Sequence, residues 1–467
     1  MTTTNPTKSV IKPTVILINP WIYDFAAYDL WAKPLGLLYL AGDLRERGFS
    51  VHLIDCLDVY NTSMGKITQL RKPIRRKYGT GKFWKQTVPK PPQLSTIPRS
   101  YSRYGIAPQV FIEELKKVQR PAAILVTSLM TYWYPGVFEA INLAKDIHPN
   151  APILLGGIYA SLCPEHARNY SHADLIISSP SQSWPSECNQ FLEQNIPNFH
   201  SEEKAQPFFP YPAFDLLTQI DYICLLSSSG CPFRCTYCAS HYLNPSFVKR
   251  KPRELFEEVF FWNTQYHIQN FAFYDDALLV DAENHICIFL EEVVRNNLNL
   301  RFHCPNGLHI TYIDKITSDL LYRAGFETIR LGLETSDTKL HRNLGKKYST
   351  GEFELAVNQL KKAGFTTPQI GTYILMGLPG QTYDQVAETI TYVEKVGAMP
   401  YLSEYSPIPH TQMWKEAVEV SRFNLRDEPL FHNNTIFPCW NGKSLEKIST
   451  LKNMAQDIKN KTRYKWH

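Results

Sequence analysis

The chain has 467 residues, a hydrophobic content of 44%, a charged content of 20% and a net charge of +5. That profile is ordinary for a soluble globular protein and too long for one core, so two domains are expected. Ten cysteines in this length exclude a disulfide scaffold, and no window reaches the roughly 18 apolar residues that cross a bilayer.

The N-terminal MTTTNPTKSVIKP has no apolar run behind its lysines, so no secretory signal and a cytoplasmic location are expected. Thiols there stay reduced and free for metal binding or chemistry. Residues 1–194 then alternate strand and helix signals. VILIN (Val15–Asn19) reads as a buried strand, LGLLYLAGDLRERG (Leu35–Gly48) as a helix that Gly48 ends, and VHLID (Val51–Asp55) as the next strand. AAILVTS (Ala122–Ser128), a helix from about Pro135 to Asp146, APILLGG (Ala151–Gly157) and ADLIIS (Ala173–Ser178) continue the alternation. Such alternation requires parallel strands with crossovers, hence a doubly wound, Rossmann-like α/β sheet.

A stretch at about 60–105 interrupts this sheet. Between Asp58 and Glu113 there is no acidic residue but eleven basic ones: Lys66, Arg71, Lys72, Arg75, Arg76, Lys77, Lys82, Lys85, Lys90, Arg99 and Arg103. The positive charge is therefore local, and the remainder of the chain is net acidic. Rich in Pro, Tyr and Lys, without a period of 2 or 3.6, the stretch reads as a long loop.

Residues 195–220, with NIPNFHSEEKAQPFFPYPAF, read as an interdomain linker. A second series follows over 221–415, with strands at Tyr222–Ser228, Asn270–Asp276, Leu300–Cys304, Glu327–Glu334, Pro368–Gly377 and Tyr401–Ser406. Helical segments near 253–266, 282–297, 314–324, 351–363 and 382–396 separate them, which indicates a partial (β/α)6 barrel of TIM type. Ligands of such barrels gather at the C-terminal ends of the strands. Residues 416–467 form a C-terminal extension that covers the barrel and ends in a Lys-rich helix.

Immediately after the first barrel strand, SSSGCPFRCTYCAS (Ser227–Ser240) places Cys231, Cys235 and Cys238 in a C-x3-C-x2-C pattern. Three unrelated buried thiols are one reading, but the segment is a Gly- and Pro-containing loop rather than an apolar face. A structural zinc site is a second, but zinc wants four ligands and no second pair follows. Three thiolates also suit an iron–sulfur cluster that keeps one iron open for a non-protein ligand.

CPFRCTYC, with an aromatic residue before its last cysteine, resembles the signature of radical S-adenosylmethionine (SAM) enzymes. The resemblance implies a [4Fe-4S] cluster held by Cys231, Cys235 and Cys238, whose open iron chelates SAM. Reductive cleavage of SAM then gives methionine and a 5′-deoxyadenosyl radical. It further implies Tyr237 against the adenine. FYDDALL (Phe273–Leu279) resembles the segment that meets the SAM amino group, nominating Asp275 and Asp276. RLGLETSD (Arg330–Asp337) places Glu334 and Ser336 at the ribose and carboxylate. GTYILMGLPGQT (Gly371–Thr382) brings Ile374 and Gly377 beside the adenine, and SPIPHT (Ser406–Thr411) resembles the sixth-strand end. His303, Cys304 and His410 lie near strand ends and are candidates to meet substrate.

The N-terminal half resembles the cobalamin (B12)-binding domain of one radical SAM subclass. VILINP, PLGLLYLAGDLRERGFSVHLID, VTSLMT and LLGGIYASLCPEHA carry the likeness. It implies that Ser128, Leu129, Gly156 and Gly157 accommodate the corrinoid's nucleotide tail, with glycines permitting close approach. The Asp-x-His-x-x-Gly element, whose His ligates cobalt, is missing: DCLDVYNTSMG (Asp55–Gly65), after the second strand, holds no His. The subclass typically methylates unreactive carbons, and a flavodoxin- or ferredoxin-type reductant and a small-molecule or peptide substrate are implied as partners. The basic stretch is then a solvated mobile insertion, a lid over a phosphate or anionic substrate, or a dock for an acidic electron donor. Nucleic acid is the weakest partner, since no RNA-binding module accompanies the charge. Two rivals stand beside this reading: a radical SAM enzyme whose first domain binds no corrinoid, and a non-enzymatic iron–sulfur or corrinoid-binding protein.

Overall fold

In β1 (Thr14–Asn19), Ile16 and Ile18 point into one apolar cluster and Val15 and Leu17 into another. A strand with both faces buried is the reason VILIN reads as a continuous apolar run. The computed structural model describes residues 12–66, 70, 72–178, 186–196, 210–345, 348–349 and 351–464. Most of the N-terminal MTTTNPTKSVIKP, much of the expected linker and Arg71 lie outside the described residues.

Around β1 lie α1 (Leu35–Glu46), β2 (Ser50–Asp55), β3 (Ala123–Val126), α2 (Tyr134–Ile147), β4 (Ile153–Leu155) and β5 (Leu175–Ile176). The strands pair in the order β5-β4-β3-β1-β2, all parallel. The order reverses between β1 and β3, the switch point at which open α/β sheets bind ligands.

The second half is a six-stranded parallel sheet paired in chain order. Its strands are β6 (Ile223–Leu225), β7 (Asn270–Phe273), β8 (Arg301–His303), β9 (Phe326–Glu334), β10 (Ile370–Met376) and β11 (Met399–Glu404). Helices α3 (Pro252–Tyr266), α4 (Ile286–Arg295), α5 (Lys315–Arg323), α6 (Glu352–Ala363) and α7 (Tyr383–Val396) alternate with them. Phe271, Phe273, Phe302 and Phe326 turn outward beneath Phe289 of α4 and build the layer between strands and helices. The final helix, α8 (Ile448–Tyr464), packs Leu451 and Ile458 into the same core and pairs Lys452 with Glu404 at 2.5 Å. Among the described residues no helix is long and apolar enough to cross a membrane.

The basic stretch is not the unstructured loop expected from its sequence. Ile22–Asp24 pairs antiparallel with Ser102–Tyr104, which pairs with Lys85–Thr87, and Tyr28–Asp29 pairs with Gly81–Lys82. Strands of two or three residues, paired with a segment far away in sequence, are too short to display a period. Several of the cations are consumed internally: Arg75 pairs with Asp29 at 2.6 Å, Arg103 with Glu139 at 3.3 Å, and Arg99 donates to the Thr435 carbonyl.

Sheet and barrel are clamped together. Leu35 and Leu38 of α1 belong to the barrel's core, and buried Asp24 accepts from Trp133 Nε1 at 2.7 Å and from Asn433 Nδ2 of the C-terminal extension at 2.8 Å.

Candidate functional site

The cysteine loop leaves the C-terminal end of β6 and is tied down by its backbone. Thr236 N–H donates to the Leu344 carbonyl at 3.3 Å, and Met413 N–H to the Thr236 carbonyl at 2.9 Å. Cys235 is buried; Cys231 and Cys238 are half-buried. Ser240 N–H points at the Cys238 Sγ at 3.4 Å, a contact that favours thiolate over thiol. None of the ten cysteines is in a disulfide. Among the described residues no three His, Cys, Asp or Glu side chains converge on a point that would hold a single metal ion. Three soft sulfur donors on one short loop suit an iron–sulfur cluster, where each thiolate takes its own iron.

Asp275 and Asp276, adjacent at the end of β7, face different surroundings. Asp275 is buried and accepts from Ser227 N–H at 3.0 Å, Ser227 Oγ at 2.6 Å, Ser228 N–H at 2.6 Å and Ser228 Oγ at 2.7 Å. Burial pushes its carboxyl up, against the serine bonds that pull it down. In this structure it latches β7 to β6. Asp276 is accessible, takes a short hydrogen bond from Ser240 at the end of the cysteine loop, and is also pushed up by burial.

Tyr237 Oη donates to Glu334 Oε1 at 2.9 Å, joining the cysteine loop to the end of β9. Glu334 sits in the left-handed region at φ 69°, a strained conformation typical of sites where geometry is imposed for use. Ser336 is bound instead to α7: its N–H and hydroxyl both meet Thr389 Oγ1, at 3.1 and 3.0 Å. Ile374 lies on the helix-facing side of β10. It packs outward with Ile370 and Met376 against Val386 and Ile390 of α7, whereas Leu375 joins the cluster that holds Tyr237, Leu378 and Tyr405. Gly377 N–H donates to the buried Gln381 Oε1 at 3.0 Å, and Gln381 Nε2 returns a bond to the Leu375 carbonyl. Leu375, Gln381 and Asn306, whose Nδ2 donates to the Tyr274 carbonyl at 2.8 Å, were missed. Period-2 counting forward from the core residue Ile370 puts Ile374 on the core face and Leu375 on the opposite one.

His410 stacks on Tyr242 at 4.1 Å, and its Nε2 reaches the Leu162 carbonyl at 3.2 Å, so it bridges the cysteine loop and the sheet domain. His432 lies between Thr131 and the Leu425 carbonyl, at 2.9 and 2.8 Å. Cys304 is buried, its thiol pushed up by that burial. His303, although the last residue of the short β8, is level with Ala272 of β7 and with Thr328 near the start of β9, and its ring meets Trp31 and Tyr78, toward the N-terminal mouth of the barrel.

Across the cleft, Ser128 Oγ donates to the Gly156 carbonyl at 2.6 Å and accepts from Ala160 N–H. Gly157 has φ 95°, and a Cβ there would lie 2.3 Å from the Ser128 carbonyl oxygen. Only glycine allows that approach, so this pair clamps the β3 and β4 loops to one another. A Cβ at Gly156 would rest in ordinary contact with Ile177 at 3.8 Å, and Leu129 is half-buried. Met130 and Ile158 stand 45% and 38% exposed on the same loop ends. An exposed apolar platform beside a small residue suits the flat face of a large macrocycle.

Residues 225–393 match the radical SAM superfamily. An uncharacterized methyltransferase of Pyrococcus horikoshii is 22% identical over 67% of this chain and 74% of that protein. The cytidylyl-2-hydroxyethylphosphonate methyltransferase of Streptomyces wedmorensis is 19% identical over 86% of this chain and 81% of its own length. The structure of TsrM from Kitasatospora setae, a radical SAM methyltransferase with cobalamin and a [4Fe-4S] cluster bound, superposes with a TM-score of 0.62 at 14% identity, covering 91% of this chain and 85% of that one.

Proposed function

We propose that this chain, a radical SAM enzyme with a B12-binding-like N-terminal domain, is a cobalamin-dependent enzyme that methylates or otherwise modifies an unreactive carbon of a small-molecule or peptide substrate. When bound, the [4Fe-4S] cluster supplies one electron to SAM, releasing methionine and a 5′-deoxyadenosyl radical. The protein's task is to hold, orient and shield. Cys231, Cys235 and Cys238 would hold the cluster; Tyr237, Asp276, Glu334, Leu375 and Gly377 would border SAM. Ser128 to Met130 and Gly156 to Ile158 would border the corrinoid, and a flavodoxin- or ferredoxin-type protein would deliver the electron.

One observation carries this reading: the helix that follows β4 meets the segment that follows the cysteine loop, with His410 reaching the Leu162 carbonyl and stacking on Tyr242. In this reading both cofactors would lie on the same side of the barrel. The two relatives, both methyltransferases by name, support methyl transfer.

The Gly157–Ser128 clamp favours a second reading, since it uses small residues for loop packing rather than for a ligand. In that reading the sheet domain binds no corrinoid and serves in substrate recognition. Anaerobic reconstitution with iron, sulfide, SAM and reductant, with and without hydroxocobalamin, separates the two. Formation of 5′-deoxyadenosine is expected in both arms and S-adenosylhomocysteine only with the corrinoid. Retention of no corrinoid absorbance after desalting would select the second reading, and absence of 5′-deoxyadenosine would contradict both.

A further inference from the structure

We propose that the basic insertion of the N-terminal domain is an aromatic plug that seals the barrel's N-terminal mouth, the face opposite the cysteine loop. The consequence drawn for catalysis rests on the radical chemistry proposed above; the geometry does not.

The tip of the insertion is Tyr78 and Gly79. Gly79 has φ 78°, and a Cβ there would fall 2.1 Å from the Asp221 Cβ, so the tip is pressed against the residue that leads into β6. Tyr78 Oη donates to Glu327 at the start of β9 at 2.9 Å, and Tyr60 Oη donates to Asp221 at 2.6 Å. The Tyr78 ring lies 4.6 Å from the His303 ring of β8, whose other neighbour is Trp31 at 4.1 Å, stacked at 28°. Trp31 in turn meets Tyr222 edge-on at 4.9 Å. The closure is complete enough that His303 has no exposed surface. Its Nε2 has no hydrogen-bond partner, and burial lowers its pKa to about 3, which keeps the ring neutral.

Two further features indicate that the plug is held in place. Trp31 and Tyr78 both occupy the left-handed region, at φ 71° and 72°. Bulky side chains adopt that conformation only where surrounding contacts over-determine it. Arg75, a half-buried cation of the insertion, is bound to Asp29 at 2.6 Å, and Asp29 also accepts from Tyr222 Oη at 2.6 Å. The insertion is thereby fastened to the barrel, with its aromatic tip turned into the lumen rather than over the cleft.

The chemical reason for such a seal is the reactivity of a primary alkyl radical. A thiol reaching it would lose its S–H hydrogen, a C–H bond would form, a thiyl radical would remain, and SAM would be consumed without product. Cys224 of β6 shares a strand face with Tyr222, has no exposed surface and neighbours Tyr274, Lys33 and Asp29, so it reports whether small solutes pass the plug.

The test uses the full chain in two arms. In the first, protein without cluster is exposed to iodoacetamide and each cysteine is followed by peptide mass spectrometry. Cys224 is expected to stay protected in the wild type and in Tyr78→Phe, which keeps the ring. It is expected to react at least tenfold faster in Tyr78→Ala and Trp31→Ala, while Cys188 and Cys439 stay protected as controls for global unfolding. Cys224 reacting in the folded wild type, or staying protected in whichever alanine variant remains folded, would overturn the proposal. In the second arm, reconstituted enzyme turns over SAM in D2O with dithiothreitol, whose exchanged S–D marks quenched radicals. Deuterium in 5′-deoxyadenosine should rise several-fold in Tyr78→Ala and not in Tyr78→Phe. A wild type that makes no 5′-deoxyadenosine defeats the radical reading, while the cysteine labelling still decides whether the plug seals the mouth.

Discussion

Replacing Asp275 tests whether it is a latch or a ligand. Its carboxylate accepts from two backbone N–H groups and two hydroxyls of Ser227 and Ser228, all buried. In Asp275→Ala the hydroxyls can rotate to new partners, but the two N–H groups are left unpaired at roughly 1–3 kcal/mol each. Part of that loss is offset, because burial disfavours the charge that is removed. The net expectation is a destabilisation of roughly 2–4 kcal/mol. Asp275→Asn keeps one acceptor oxygen but aims an amide donor at other donors, so it should lose about half as much. Urea unfolding followed by far-UV circular dichroism gives the stability, hydrogen exchange of the peptide spanning 222–230 localises it, and SAM affinity is measured on reconstituted protein. A large stability loss with faster exchange at Ser227 and Ser228 is expected. A variant of unchanged stability that has lost SAM binding would refute the latch and restore Asp275 as a ligand.

Ile374→Ala and Leu375→Ala should each cost roughly 2–5 kcal/mol as buried truncations, but only Leu375→Ala, beside Tyr237, should also weaken SAM binding; isothermal titration of both decides, and equal effects on affinity would contradict the assignment. His432 is buried, and its pKa is lowered to about 4 from an ordinary value of about 6.5. The fold therefore favours the neutral ring, so stability is full above about pH 6.5 and declines by roughly 3 kcal/mol as pH falls toward 4. His166, lowered to about 4 by burial, acts in the same window, so His432→Gln should flatten the acid limb of a stability–pH profile by about half; an unchanged limb would contradict the buried neutral ring.

Much of the architecture was legible because each local pattern agreed with its tertiary use. The two-sided burial of β1 makes VILIN apolar throughout, and the alternation of strands with helices leaves parallel pairing as the outcome. The cysteine loop was legible because its chemistry lies in a local spacing. Direction was harder to read. Asp275 and Asp276 are neighbours on a strand end, and one residue of register sends one into the strand junction and leaves the other accessible. The same single step separates Ile374 from Leu375. The insertion was misread for a different reason: its order comes from pairing with Ile22–Asp24 and Tyr28–Asp29 and from contacts to Asp221, His303 and Glu327, none of which is local in sequence.

The most direct test is the electron paramagnetic resonance spectrum of the reduced, reconstituted protein before and after SAM is added. A [4Fe-4S] signal that shifts with SAM, and is absent from Cys235→Ala, is the expected result, because three thiolates leave one iron open to chelate the added molecule. A cluster signal indifferent to SAM, or one that survives removal of Cys235, would contradict a radical SAM centre at Cys231, Cys235 and Cys238.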